Sequence, residues 1–160
     1  MFAVETTIEE TELQTARDIL DELVTLVDAV DGFYFVQTKD EADVLQAYFE
    51  TLEQFVDLHP IAHVSYPQST QITTDYAIMS RTDAYFFADL VAAFKIINGK
   101  DEQKEMALYQ IEEDLVASAK IDNTKVFFID KKDKLLIEGY AEAYDIEVSF
   151  LHLDKVEKKH

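Results

Sequence analysis

The segment Lys125–Leu153, KVFFID-KKDKLLIEGYAEAYD-IEVSFLHL, decides the fold. Lys125–Asp130 is an apolar run suited to a buried strand, and Ile146–Leu153 reads as a second strand. Between them, Lys132–Asp145 carries Leu135, Leu136, Gly139, Tyr140, Ala143 and Tyr144. Its Leu, Glu and Ala content predicts a helix, opposed by Gly139 and by lysines at the helix N-terminus. That reading gives strand–helix–strand over 125–153 and a parallel, right-handed crossover. A hairpin turning at Lys131–Lys134 is the alternative, and it would make the two strands antiparallel.

Upstream, Asp101 to Lys120 reads as an amphipathic helix packing Leu108, Ile111, Leu115 and Ala119. Residues 82–98 read as another, capped by Thr82 or Ser80 and closed by Gly99. Tyr85, Phe86, Phe87, Leu90, Val91, Phe94 and Ile97 then fall almost all round its circumference, which predicts the most buried helix of the fold. Ile61–Tyr66 and Thr70–Ser80 read as strands, the second placing Ile72, Thr74, Tyr76 and Ile78 on one side. Nearer the start, Met1–Thr6 and Phe33–Thr38 have strand composition. Thr7-Ile8-Glu9-Glu10 and Thr38-Lys39-Asp40-Glu41 match the capping box. The first box opens a helix with Leu13, Ala16, Leu20, Leu23, Val27 and Val30 on its apolar side, ended by Gly32. The second opens a helix burying Val44, Leu45, Tyr48, Phe49, Leu52, Phe55 and Val56, stopped by His59-Pro60. No linker and no internal repeat is visible. The expectation is one layered α/β domain over residues 1–160, with a mixed sheet of five to six strands, about five helices, an acidic helical part at 7–58 and a C-terminal strand–helix–strand unit.

The charge is lopsided. The chain carries −19 in total, and residues 1–60 hold fifteen acids against only Arg17 and Lys39. Such a field repels nucleic acid and anionic membranes and attracts basic partners. Aromatics at 12% argue against acidic disorder. With no cysteine, the chain has no disulfide, thiolate metal site or cysteine nucleophile. Only Gly32, Gly99 and Gly139 occur, so no glycine-rich loop can cradle a phosphate. The start, Met-Phe-Ala-Val-Glu, reads as carrying no secretory leader, and a cytoplasmic location is expected.

At ~100° per residue, Asp18, Asp21, Glu22 and Asp28 fall opposite the apolar side of the first helix. Asp43, Glu50, Glu53 and Asp57 do so on the second. These eight residues are the expected partner-binding surface, and a basic protein the expected partner. Side by side, the two helices reach one net charge per ~3 Å, against one per ~1.7 Å in duplex DNA. That density suits a stoichiometric inhibitor or nucleic-acid mimic engaging a basic nucleic-acid-handling protein. A solvated face that keeps the protein soluble is the bland reading of the same pattern.

A small α/β enzyme or ligand-binding domain is the competing class. Asp130 ends an apolar strand and, with Glu138, Glu142 or Asp154, would supply oxygen ligands to a divalent metal. The simpler reading makes Asp130 a turn residue ahead of Lys131-Lys132-Asp133. No catalytic group and no cofactor is assigned. His59, His63, His152 and His160 form no helical metal pair, and Ser65, Ser69, Ser80 and Ser118 lack a nucleophile-elbow context. A homodimer through the aromatic 82–98 segment is a third class.

Overall fold

The computed structural model describes residues 1–8, 10–68 and 75–153, with the side chains of Glu10, Thr11, Leu13 and Thr15 left aside. The expected contributions of Leu13, of the 70–74 strand residues, of the Thr7–Glu10 box partners, of Asp154 and of His160 lie outside the described residues. The chain divides into two compact units, Met1–Ile61 and Ala62–His160.

The first unit runs β1 (Phe2–Thr6), α1 (Glu10–Leu23), β2 (Asp28–Val30), β3 (Phe33–Val36), α2 (Lys39–Thr51) and the first half of β4 (Val56–Ser65). Its strands hydrogen-bond in the order β2-β3-β1-β4, every pair antiparallel. Alternation along β1 and β3 sends Val4, Tyr34 and Val36 to one side of this sheet. There they form a single core with Leu20 and Val24 of α1 and Ala42, Leu45 and Phe49 of α2. Both helices therefore cover the same face.

Local chemistry explains these elements. Thr38 caps α2, its hydroxyl oxygen accepting the Glu41 N–H at 3.1 Å. The Glu41 carboxylate in turn accepts the Thr38 hydroxyl at 3.1 Å and the Thr25 N–H at 3.0 Å, tying the exit of α1 to the start of α2. Asp31 and Gly32 both have positive φ (48° and 86°), the signature of a two-residue type I′ hairpin joining β2 to β3. Gly32 is fixed there twice over, because a Cβ would also stand 2.9 Å from the Thr6 carbonyl oxygen.

The second unit continues β4 and adds β5 (Ala77–Ser80), β6 (Asp83–Phe87), β7 (Val91–Asn98), α3 (Asp101–Ile111), a 3₁₀ turn (Glu112–Asp114), β8 (Leu115–Ile121), β9 (Thr124–Asp130), a second 3₁₀ turn (Lys131–Asp133), α4 (Lys134–Ala143) and β10 (Glu147–Phe150). The second half of β4 leads the strand order β4-β6-β5, and a separate four-stranded sheet has the order β10-β7-β9-β8. β9 is buried on both faces. Val126 and Phe128 join a core with Ala62, Val64, Ala84 and Phe86, whereas Phe127 and Ile129 join Ala107 and Ile111 of α3 and Ile137 and Ala141 of α4. The unit thus has three layers: helices, the four-stranded sheet, and the small β4-β6-β5 sheet.

The helix predicted at Lys132–Asp145 is present as α4, and the hairpin alternative is not. β9 and β10 both run antiparallel to β7, so they are parallel to each other but separated by it. The crossover is a split one. The same plan governs the first unit: β1-α1-β2-β3-α2-β4 and, in the second unit, β7-α3-β8-β9-α4-β10 each run strand–helix–strand–strand–helix–strand, and counted within each set of four strands the spatial order is 4-1-3-2. This is the split β-α-β, or ferredoxin-like, connectivity twice over, although the sequence showed no repeat.

Several expectations are corrected. The sheets are antiparallel rather than one mixed sheet, and the described residues hold four α-helices rather than five. Residues 82–98 form β6 and β7, whose Tyr85, Phe86 and Phe94 are buried inside the unit. A continuous apolar run does not distinguish a two-sided strand from a buried helix. The helix expected to reach Lys120 stops at Ile111, and 115–120 belong to β8. α1 ends at Leu23 and α2 at Thr51, which leaves Val27, Phe55 and Val56 off the helices. No helix among the described residues is long and apolar enough to cross a membrane.

Candidate functional site

Two arrangements in the first unit hold most of the polar chemistry, and they lie on opposite sides of its sheet. The first is the outer surface of α1 and α2. The helices run antiparallel: the end of α2 meets the start of α1 where Gln54 Nε2 donates to Glu12 at 3.5 Å, and Glu41 joins the other ends. Asp18, Asp21 and Glu22 on α1 and Asp43 and Glu50 on α2 are all exposed. Of the two cations, Lys39 is held in an ion pair with Asp43, four residues on along α2, and Arg17 on α1 is the other. Both helices are shorter than expected, yet their density is unchanged. α1 and α2 span about 21 Å and net −7 from their sequences, which is again one charge per ~3 Å. Ile19, Leu23 and Val44 are exposed beside these acids.

Three expected members of that surface sit elsewhere. Asp28 opens β2, Glu53 follows the end of α2 with φ 58°, and Asp57 lies on β4. A helical period carried past the true helix ends places these three side chains on helices they do not belong to.

Asp57 belongs to the second arrangement. β1 and β4 pair with Glu5 directly opposite Asp57 and Ala3 opposite His59. Residues 57 and 59 point away from the helical layer, since Val56 and Leu58 pack on its core. His59 Nε2 lies 2.9 Å from Glu5 Oε1 and 3.7 Å from Asp57 Oδ2. The Phe33 ring flanks the imidazole at 6.0 Å between centroids. No reading of the linear sequence found this group, because it needs the register of strands about fifty residues apart. The only sequence signal was the i, i+2 spacing of Asp57 and His59, which has meaning only on a strand.

Asp130 behaves as a turn residue. Oδ1 accepts the Lys132 N–H at 3.0 Å, and Oδ2 accepts the Tyr76 hydroxyl at 2.7 Å. These two bonds, the backbone one first, hold its carboxyl below the ordinary 3.8, and the same contact pushes the Tyr76 hydroxyl up. Glu138 is exposed on α4. Among the described residues, neither it nor Asp130 belongs to a cluster able to hold a metal; Glu5, Asp57 and His59 do. Because Asp130 is easier to deprotonate when folded, its bonds stabilise the protein above the ordinary carboxyl value and are lost as pH falls through the lowered one. Tyr76→Phe is expected to cost about 1 kcal/mol at pH 7, with the difference from wild type shrinking below pH 3.8. Urea unfolding at both pH values measures this, and a pH-independent difference would contradict the assignment.

In the second unit, His63 and Ser65 both contact the same oxygen of Asp83, each at 3.0 Å. The serine donates to the carboxylate rather than to the imidazole, which is not the arrangement of an activated nucleophile. His63 is also stacked on Tyr85 at 4.8 Å. A cavity of about 320 Å³ lined by Asn98, Gly99, Lys100, Gln103, Asp145 and Glu147 lies at the start of α3. Its charges, Lys100 with Asp145 and Glu147, are mixed in sign. No family model, no curated protein and no solved structure matches the chain, so its own residues carry the functional reading.

Proposed function

We propose that this protein is a non-enzymatic binding protein whose α1–α2 surface engages a basic protein, acting as a stoichiometric blocker of a nucleic-acid-handling partner. The observation that carries the reading is the set of exposed acids Asp18, Asp21, Glu22, Asp43 and Glu50 on two antiparallel helices whose sequences hold only two bases, Arg17 and Lys39. Their density is within a factor of two of duplex DNA, so a basic cleft shaped for a phosphate backbone meets a comparable field. Electrostatic steering then speeds encounter, and Ile19, Leu23 and Val44 supply apolar anchors that charge alone does not. Direct nucleic-acid binding is disfavoured by the same field.

Immobilised full-length protein exposed to host lysate tests this. Capture of a basic nucleic-acid-handling protein at low salt and its release at high salt is the expected result, since exposed contacts are screened beyond ~8 Å at physiological ionic strength. Empty beads at low salt would return the charge to a role in solubility.

A further inference from the structure

We propose that Glu5, Asp57 and His59 form a binding site for a divalent transition-metal ion, built on the face of the first sheet opposite the helices. The inference does not depend on the role of the acidic helices. Three observations carry it. First, Glu5 and Asp57 are direct cross-strand partners, and like charges so placed repel each other. A pair of this kind, in a unit already carrying fifteen acids against two bases, calls for a cation between the carboxylates. Second, His59 is aimed at them. The alanine opposite it, Ala3, leaves the imidazole room to lean toward Glu5, with Phe33 alongside.

Third, the spacing fits. Nitrogen and oxygen ligands about 2.0–2.2 Å from a zinc ion stand roughly 3.0–3.5 Å apart. The observed separations of 2.9 and 3.7 Å bracket that range, and all three donor atoms lie within 4.8 Å of one another. Little movement is needed, and the donors sit on paired strands rather than on loops. The side chains are 27%, 38% and 54% exposed for His59, Glu5 and Asp57, so an ion can enter and retain water as its remaining ligands. One imidazole with two carboxylates favours zinc or manganese over magnesium and calcium, which prefer oxygen alone. The ion's two positive charges cancel the two carboxylates.

Zinc titration of the full chain by calorimetry, followed in parallel by NMR of the histidine imidazoles, tests the site. Binding should saturate at one equivalent, and the His59 signals should move before those of His63, His152 and His160. Magnesium at the same concentration should leave them in place. His59→Ala should weaken zinc binding at least ~10-fold, whereas His63→Ala should not. Glu5→Gln should weaken it as well while leaving metal-free thermal stability unchanged or higher, because it removes a like-charge opposition. A merely structural role for Glu5 predicts the reverse. Zinc binding that survives His59→Ala, or a zinc-induced shift shared equally by all four histidines, would overturn the proposal. If His59→Ala does not fold, the order of the wild-type histidine shifts decides alone.

Discussion

Replacing Phe128 by alanine is expected to lower the unfolding free energy by about 3–5 kcal/mol, the range for deleting a buried aromatic ring. Phe128 lies within β9 and is fully buried. Its ring stacks on Phe86 of β6 with centroids 4.6 Å apart and planes 5° from parallel, joining the two sheets of the second unit. Its cross-strand neighbours are Ala93 on β7 and Ala117 on β8. Small residues on both sides leave no long cross-strand side chain within the sheet to swing into the vacated space. The cavity term should therefore add to the lost transfer energy rather than being relieved by collapse. With natural domains stable by roughly 5–15 kcal/mol, this one ring accounts for a large share of the second unit's stability. Leu135→Ala, at a side chain 78% exposed on α4, should change stability by less than ~0.5 kcal/mol. Urea denaturation of the two variants and the wild type measures the contrast. A loss under about 1 kcal/mol for Phe128→Ala would show that the core refills, contrary to this account of the small neighbours.

The contrast between Phe128 and the helical acids shows what the sequence disclosed. The apolar run at Lys125–Asp130 identified a two-sided strand without help from the rest of the chain. The turn-plus-helix that follows was readable from its composition, as was the Thr38 cap from its spacing. The hairpins were not recovered, though their chemistry was present. Gly32 reads as a helix end, yet Asp31-Gly32 between apolar residues is a strong two-residue turn signal. Asp122-Asn123, with φ of 51° and 67°, joins β8 to β9 in the same way, just past the helix expected over Asp101 to Lys120.

Pro60 misled for a different reason. Proline stops helices, and here it lies within β4, opposite Phe2. The Ile61 N–H reaches the Met1 carbonyl at 2.9 Å, so odd positions of β4 donate toward β1. The N–H that Pro60 lacks would point the other way, and its ladder with β1 loses nothing. The repeated connectivity is invisible in sequence because it lies in the order of strands rather than in matching residues. The site divides along the same line. Acids on a helix follow a local period and were found as far as the helices extend, but the group at Glu5, Asp57 and His59 exists only through strand register.

Reversing Asp18, Asp21, Glu22 and Glu50 to lysine together is expected to slow association with the basic partner about 10²–10³-fold at low salt, the difference between steered and unsteered encounter. Each residue is exposed on a helix, and lysine is a good helix former, so the fold should tolerate all four. The net charge moves from −19 to −11, which also reduces self-repulsion. Asp43 is left in place because it holds Lys39. A matched variant separates the local field of the two helices from net charge. Asp89, Glu102, Glu105 and Glu138 are exposed acids of the second unit, and their reversal changes the net charge by the same amount. If the local field of α1 and α2 guides the partner, the second variant should lose only a few-fold in rate and keep a salt dependence close to wild type, because screening confines each charge's influence to ~8 Å at physiological ionic strength. The first variant should lose both the rate and the salt dependence. Equal losses from the two sets, read by stopped-flow association with the partner captured on wild-type protein, would assign recognition to bulk charge and remove the α1–α2 surface from the mechanism.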